Sequence, residues 1–174
     1  MNTPNKLTLV RIALIPVFLA VLYMGFPGSN YAALAIFILA SATDFADGYL
    51  ARHRGQITDF GKFLDPLADK VLVFAAMMWF VEMGVIPAWA ALIVAIREFA
   101  VTALRLIALD NGRVIAAARS GKIKTASTML CLTVLFFSVP GWTVHLCVAV
   151  IIVTTTVSGV EYFIKNKDTL NWAK

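Results

Sequence analysis

T-D-F-A-D-G-Y-L-A-R-H-R-G-Q-I-T-D-F-G-K-F-L-D-P-L-A-D-K, from Thr43 to Lys70, places Asp44, Asp47, Asp65 and Asp69 in or beside stretches that otherwise read as membrane-spanning. An ionisable side chain in a transmembrane helix is costly, so it is functional by default and has a partner. On a helix, positions three or four apart lie roughly 60° or 40° apart around the axis. Asp44 and Asp47 therefore share a face of one helix, and Asp65 and Asp69 share a face of the next. The short connection between the two helices allows all four carboxylates to meet. Carboxylates at close quarters repel and titrate as a coupled set. A divalent cation relieves that repulsion, and an all-oxygen site suits Mg²⁺, Mn²⁺ or Ca²⁺ rather than zinc. A pair of such ions is a common device for displacement at phosphorus.

The rest of the chain agrees with a membrane setting. Of 174 residues, 60% are hydrophobic and 14% charged, and the mean hydropathy is +0.83. Soluble domains are about 45–50% apolar. A transmembrane helix takes about 20 apolar residues, so there is room for six and no polar stretch for a separate soluble domain. The expected spans are 9–26, 31–52, 61–82, 87–109, 124–140 and 142–164. The polar residues before Leu9 predict a short interfacial helix. The first apolar run lacks a small-x-small cleavage pattern, which predicts a retained helix rather than a signal peptide. Cys131 and Cys147 have no metal-ligand spacing and read as small core residues. His53 and His145 are assigned no role.

Basic residues set the orientation. Loops 26–30, 82–87 and 139–143 contain no Lys or Arg, whereas the other side carries Lys6, Arg11, Arg52, Arg54, Lys62, Arg113, Arg119, Lys122, Lys124, Lys165, Lys167 and Lys174. This is a positive-inside pattern with both termini cytoplasmic. The net charge of +5 thus reads as membrane topology, not as nucleic-acid binding. Tyr23, Tyr31, Trp89 and Trp142 fall near the outer loops as interfacial anchors. The aspartate segment then faces the cytoplasm at headgroup depth.

Neighbouring residues suit a phosphate ligand. Gly48 permits close backbone approach, Ala51 is small, and Arg52 can grip a phosphate with two parallel hydrogen bonds. Gly61 stands one turn before Asp65, where a bulky side chain would crowd packing or a ligand, and Pro66 is expected to loosen the helix there. A structural role for the aspartates, paired with Arg52, Lys62 and Lys70, explains one or two of them but not four at this spacing. Asn5, Thr8 and Arg11 form a stripe at three-residue intervals, able to touch a nucleotide or the inner loop, or to cap an interfacial helix.

Asp44, Asp47, Gly48, Ala51, Arg52, Gly61, Asp65 and Asp69 match every fixed position of D-x2-D-G-x2-A-R-x8-G-x3-D-x3-D, the signature of the CDP-alcohol phosphotransferase family, which the chain resembles over nearly its whole length. The resemblance implies an all-α integral membrane protein with six transmembrane helices, a single domain over 1–174, working as a homodimer in the bacterial cytoplasmic membrane. It implies transfer of a phosphoryl-alcohol group from a CDP-linked donor to a hydroxyl, with release of CMP and a requirement for Mg²⁺ or Mn²⁺. By motif position, Asp44, Asp47, Asp65 and Asp69 become metal ligands, Asp69 also the general base, and Gly48 and Arg52 contacts for CDP, with Asp44, Ala51, Gly61, Asn5 and Thr8 beside it. Pro4–Arg11, Leu64–Lys70, Arg97–Phe99 and Gly121–Thr125 resemble the branch of the family that joins CDP-diacylglycerol to glycerol 3-phosphate.

An anionic acceptor requires fixed positive charge. Arg97 and Arg105 lie within the fourth expected span, where charge is costly. At eight residues' separation they stand about 80° apart around the helix and about 12 Å along it, so both can face one cavity. Arg119, Lys122 and Lys124 flank the inner end of the fifth span. Arg105, Arg119 and Lys122 are the expected acceptor-phosphate residues, with Arg97 next. Alternatively, Arg97 serves helix packing or an ion pair, with Glu98 orienting an arginine, while Arg113 and Lys124 are solvated or headgroup-facing charges. Within the same family, serine, an inositol phosphate or phosphatidylglycerol are rival acceptors, and span-four basic residues favour a phosphorylated one. A divalent-cation transporter would place its polar groups at mid-membrane and often shows repeats; here the acids gather at one face.

Overall fold

The computed structural model describes the backbone of residues 3–54, 59–110, 115 and 118–167, and the side chains of 8–43, 70–109, 115 and 118–167. Among the described residues there are six helices and no strand: α1 Thr3–Met24, α2 Ser29–Arg54, α3 Asp59–Glu82, α4 Ala88–Asp110, α5 Arg119–Leu135 and α6 Gly141–Lys165. Each expected span thus has its helix. Two details differ from expectation. Residues 3–8 are the first turns of α1 rather than a separate interfacial helix, because no breaker separates them from the apolar run. α5 occupies 119–135 rather than 124–140. It closes in a tighter last turn, the Phe136 and Phe137 amides donating to the Thr133 and Val134 carbonyls at 3.3 and 3.1 Å, and Pro140 forms the N-cap of α6.

Two tight turns rely on left-handed backbone. Gly25, at φ 60°, follows the last residue of α1, and Gly84, at φ 69°, follows the end of α3. At the second, the Val85 and Ile86 amides both donate to the Phe80 carbonyl, at 2.9 and 3.0 Å, which satisfies a helix-end acceptor.

The chain divides into two compact units, Met1–Trp79 and Phe80–Lys174. In the first, α1 packs on α2. Phe18 and Phe37 meet with ring centroids 6.1 Å apart, flanked by buried Ile15, Leu22, Ala33, Leu34 and Ala40. In the second, α6 packs on both α4 and α5. Its buried stripe is Cys147, Val148, Ile151, Thr155, Ser158 and Tyr162. Phe80 and Phe136 form an edge-on pair at 4.9 Å. Both cysteines are buried, as expected of core residues. Tyr23, Tyr31, Trp89 and Trp142 are exposed.

Only α6, among the described residues, is by itself both long and apolar enough to cross a membrane. α4 carries Arg97, Glu98 and Arg105, and α5 has 17 residues. Apolar stretches over Thr8–Met24 and Ser29–Thr43 remain within α1 and α2.

The turn chemistry yields a paired test. Gly84 has open space around it, so only its backbone angle resists a side chain, and Gly141 has open space without that angle. Gly84→Ala is expected to cost about 1–2 kcal/mol and Gly141→Ala nothing, read as thermal unfolding in detergent.

Candidate active site

All four signature aspartates stand on helical backbone, Asp44 and Asp47 on α2 and Asp65 and Asp69 on α3. The i,i+3 and i,i+4 registers required for paired carboxylates are therefore present. Their side chains, and those of Asn5, Gly48, Ala51, Arg52 and Gly61, lie outside the described residues, as do Arg113 and the α2–α3 connection at 55–58. Among the described residues no group of three or more His, Cys, Asp or Glu forms elsewhere.

What is described beside this segment is its support. Thr8 and Arg11 are buried on one face of α1, Arg11 completely. Arg11 Nε donates to the Ala40 carbonyl at 3.2 Å, and Thr43 Oγ1 donates to the same oxygen at 2.6 Å. A guanidinium from α1 is thus fixed on α2 one turn before Asp44. Arg11, read in the sequence as an inner-side cation on a stripe with Asn5 and Thr8, is interior. It can be buried because the helix carbonyl accepts from it and its long stem packs among apolar neighbours.

The second unit holds the cations expected for an acceptor phosphate. Arg97 does not point to solvent: Nη1 pairs with Glu98 Oε1 at 2.8 Å, and Nη2 donates to Ser158 Oγ at 2.6 Å. Lys124, expected as a solvated or headgroup-facing charge, is buried and pairs with the same Glu98 oxygen at 2.7 Å. The reason is geometric: Lys124 stands on the face of α5 that also buries Thr128, Cys131, Leu132 and Leu135, and Glu98 compensates its charge. Arg105 donates from Nε to Tyr162 Oη at 2.8 Å, with its guanidinium carbon 5.4 Å from the ring centroid. Arg119 and Lys122, on the first turn of α5, are exposed.

These contacts gather the cations. Arg97 lies against Gly121, where an added Cβ would sit 3.5 Å from Nη2; Lys122 is the next residue. Tyr162 links Arg105 to Val101 and Leu104, against which Ala118 packs; Arg119 is the next residue. The end of α4, the first turn of α5 and the end of α6 thereby form one basic neighbourhood. Sequence reading missed Ser158 and Tyr162. Their signal is the polar stripe Thr155, Ser158 and Tyr162, at helical spacing along an otherwise apolar α6.

Residues 1–159 match the family model of CDP-alcohol phosphatidyltransferase. The chain belongs to the CDP-alcohol phosphatidyltransferase family. Among curated relatives, the CDP-diacylglycerol–glycerol-3-phosphate 3-phosphatidyltransferase of Bacillus subtilis is 43% identical over 189 aligned positions, covering 97% of each chain. The protein of the same name from Escherichia coli is 38% identical, covering 90% of this chain and 88% of the relative. A probable phosphatidylglycerophosphate synthase of Mycobacterium tuberculosis is 37% identical, covering 92% and 79%. Members of this family are generally metal-dependent.

The small residues of α6 are sterically required. A Cβ on Gly159 would stand 3.2 Å from Arg97 Cγ. Gly159→Ala is expected to displace the arginine stem and cost about 1–3 kcal/mol. Gly121→Ala, which meets only the far end of that side chain, should cost less, with both read by unfolding in detergent.

Proposed function

We propose that this protein transfers the phosphatidyl group of CDP-diacylglycerol to sn-glycerol 3-phosphate, giving phosphatidylglycerol phosphate and CMP. The observation that carries this reading is the complete aspartate signature on α2 and α3 in a chain 43% identical, end to end, to a protein named for that reaction. The basic neighbourhood of the second unit supports a phosphorylated acceptor over serine.

In this reading six helices cross the cytoplasmic membrane with both termini inside, and the chain acts as a single membrane domain and as a homodimer. The lipid donor keeps its acyl chains in the bilayer. Asp44, Asp47, Asp65 and Asp69 hold divalent metal, Mg²⁺ or Mn²⁺ and two ions by analogy with displacement at phosphorus. Bound metal would neutralise diphosphate charge. Gly48 and Arg52 contact the CDP moiety, with Ala51, Gly61, Asn5 and Thr8 beside it. Asp69 accepts the proton of the glycerol 1-hydroxyl, within hydrogen-bond reach as a general base requires. That oxygen bonds to the phosphorus nearer the lipid as the bond to CMP breaks. Arg105, Arg119 and Lys122 bind the acceptor's phosphate, while Arg97 supports them from its place against Glu98 and Ser158.

Purified protein with CDP-diacylglycerol and Mg²⁺ is expected to release CMP with glycerol 3-phosphate and not with serine or inositol phosphate. EDTA should abolish turnover, and Mg²⁺ or Mn²⁺ should restore it. Asp69→Asn should lower kcat about 100-fold or more. Release with serine alone would discard the acceptor assignment. For orientation, single cysteines at Ser29 and Lys167, in a protein lacking Cys131 and Cys147, are expected to be labelled from opposite membrane faces.

A further inference from the structure

Glu98 is the buried acid in a crowd of cations; Glu161, nearer solvent, pairs with Lys165 and reaches Ser120 on the first turn of α5. Glu98 Oε1 is shared by Arg97 and Lys124, and all three side chains are nearly buried, at 12%, 11% and 6% exposure for Arg97, Glu98 and Lys124. Arg97 is further tied to α6 through Ser158 and presses on Gly121. The first turn of α5 has no acidic residue, and its N-cap, Ala118, makes no side-chain cap bond. Two more cations, Arg119 and Lys122, stand exposed on that turn, and neither is paired among the described residues. A helix N-terminus carries positive partial charge, so cations there are disfavoured. Arg97, Arg119, Lys122 and Lys124 at the start of one helix therefore repel each other and the helix end. Glu98 is the buried carboxylate among them, while Glu161 meets Ser120 from the more exposed side.

As a stability device this triad is poorly chosen. Buried ion pairs recover their desolvation cost only with good geometry, and apolar replacements are often as stable. Its placement fits another purpose. The carboxylate commits Arg97 and Lys124 to itself, which fixes α5 against α4 and α6, and leaves Arg119 and Lys122 facing outward. A phosphate monoester, with close to two negative charges at neutral pH, meets a preset pair of donors rather than a flexible cluster.

We propose that Glu98 is a positioning residue for the acceptor's phosphate, acting through Arg97 and Lys124 without touching substrate. The proposal rests on the transferase reading above. It predicts an effect on one substrate only. Glu98→Gln is expected to raise KM for glycerol 3-phosphate about tenfold, because truncating one member of a buried charge cluster is costly. KM for CDP-diacylglycerol should stay within about twofold, since uniform binding is lost only on the acceptor side. Glu98→Asp should recover part of the loss. In a Lys124→Met background, Glu98→Gln should add less than it does alone, since the two residues act as one unit. Ser158→Ala removes one tie of Arg97 without changing charge, and should shift the acceptor KM in the same direction, about threefold.

An acceptor KM that is unchanged or lowered in Glu98→Gln overturns the proposal. So does an equal rise in both KM values with a lowered unfolding temperature, which marks a purely structural role. If Glu98→Gln does not fold, Ser158→Ala decides by the same split. If the wild-type protein releases CMP only with another acceptor, the glycerol phosphate reading fails separately, and the KM of that acceptor is followed. A selective rise for a phosphorylated acceptor sustains Glu98's role, and an unphosphorylated acceptor overturns it.

Discussion

The structure depends on how charge is held among apolar helices. A guanidinium, ammonium or carboxylate removed from water needs an opposite charge or a backbone acceptor, or it neutralises or turns outward. Both compact units are organised around this constraint. In the first, Arg11 is fully buried and fastened to the Ala40 carbonyl. In the second, Glu98 binds Arg97 and Lys124 at one oxygen, and Ser158 accepts from Arg97. Apolar packing such as Phe18 on Phe37 and Phe80 on Phe136 holds the helices at other levels.

Small residues make the charged contacts possible. Gly121 and Gly159 leave the room Arg97 occupies between α5 and α6, and a Cβ added to Gly159 would stand 3.2 Å from Arg97 Cγ. Hydrogen bonds between helices and small side chains are the means by which helices associate where lipid offers no hydrophobic gain. Ser127 and Thr154 add a further polar link between α5 and α6 at 3.2 Å. The second unit is therefore stitched by polar groups along a seam whose flanks are aliphatic.

The two units carry opposite charge at their polar positions. The first carries the acidic segment of α2 and α3. The second carries the arginines and lysines of α4 and α5. Arg105 and Tyr162 on one side, and Arg97 with Gly121 on the other, bracket the first turn of α5. Phosphoryl transfer depends more on placement and electrostatics than on covalent work by the protein, and rigid helices are well suited to placement.

The sequence by itself determined the helical class, the six helix positions within a few residues, and the family, because spacing and hydropathy are local properties. A period of 3.6 residues and eight fixed motif positions can be read without knowing what lies opposite. It did not determine which cations are interior. Arg11 and Lys124 are indistinguishable in sequence from Lys122 or Lys165, yet the first two are buried and the others exposed. Nor did it determine where α5 begins, nor that Ser158 and Tyr162 serve Arg97 and Arg105. Those contacts join residues 57 and 61 positions apart. Only the packing of α6 on α4 and α5 decided them, because burial and partnership depend on the neighbouring helix face.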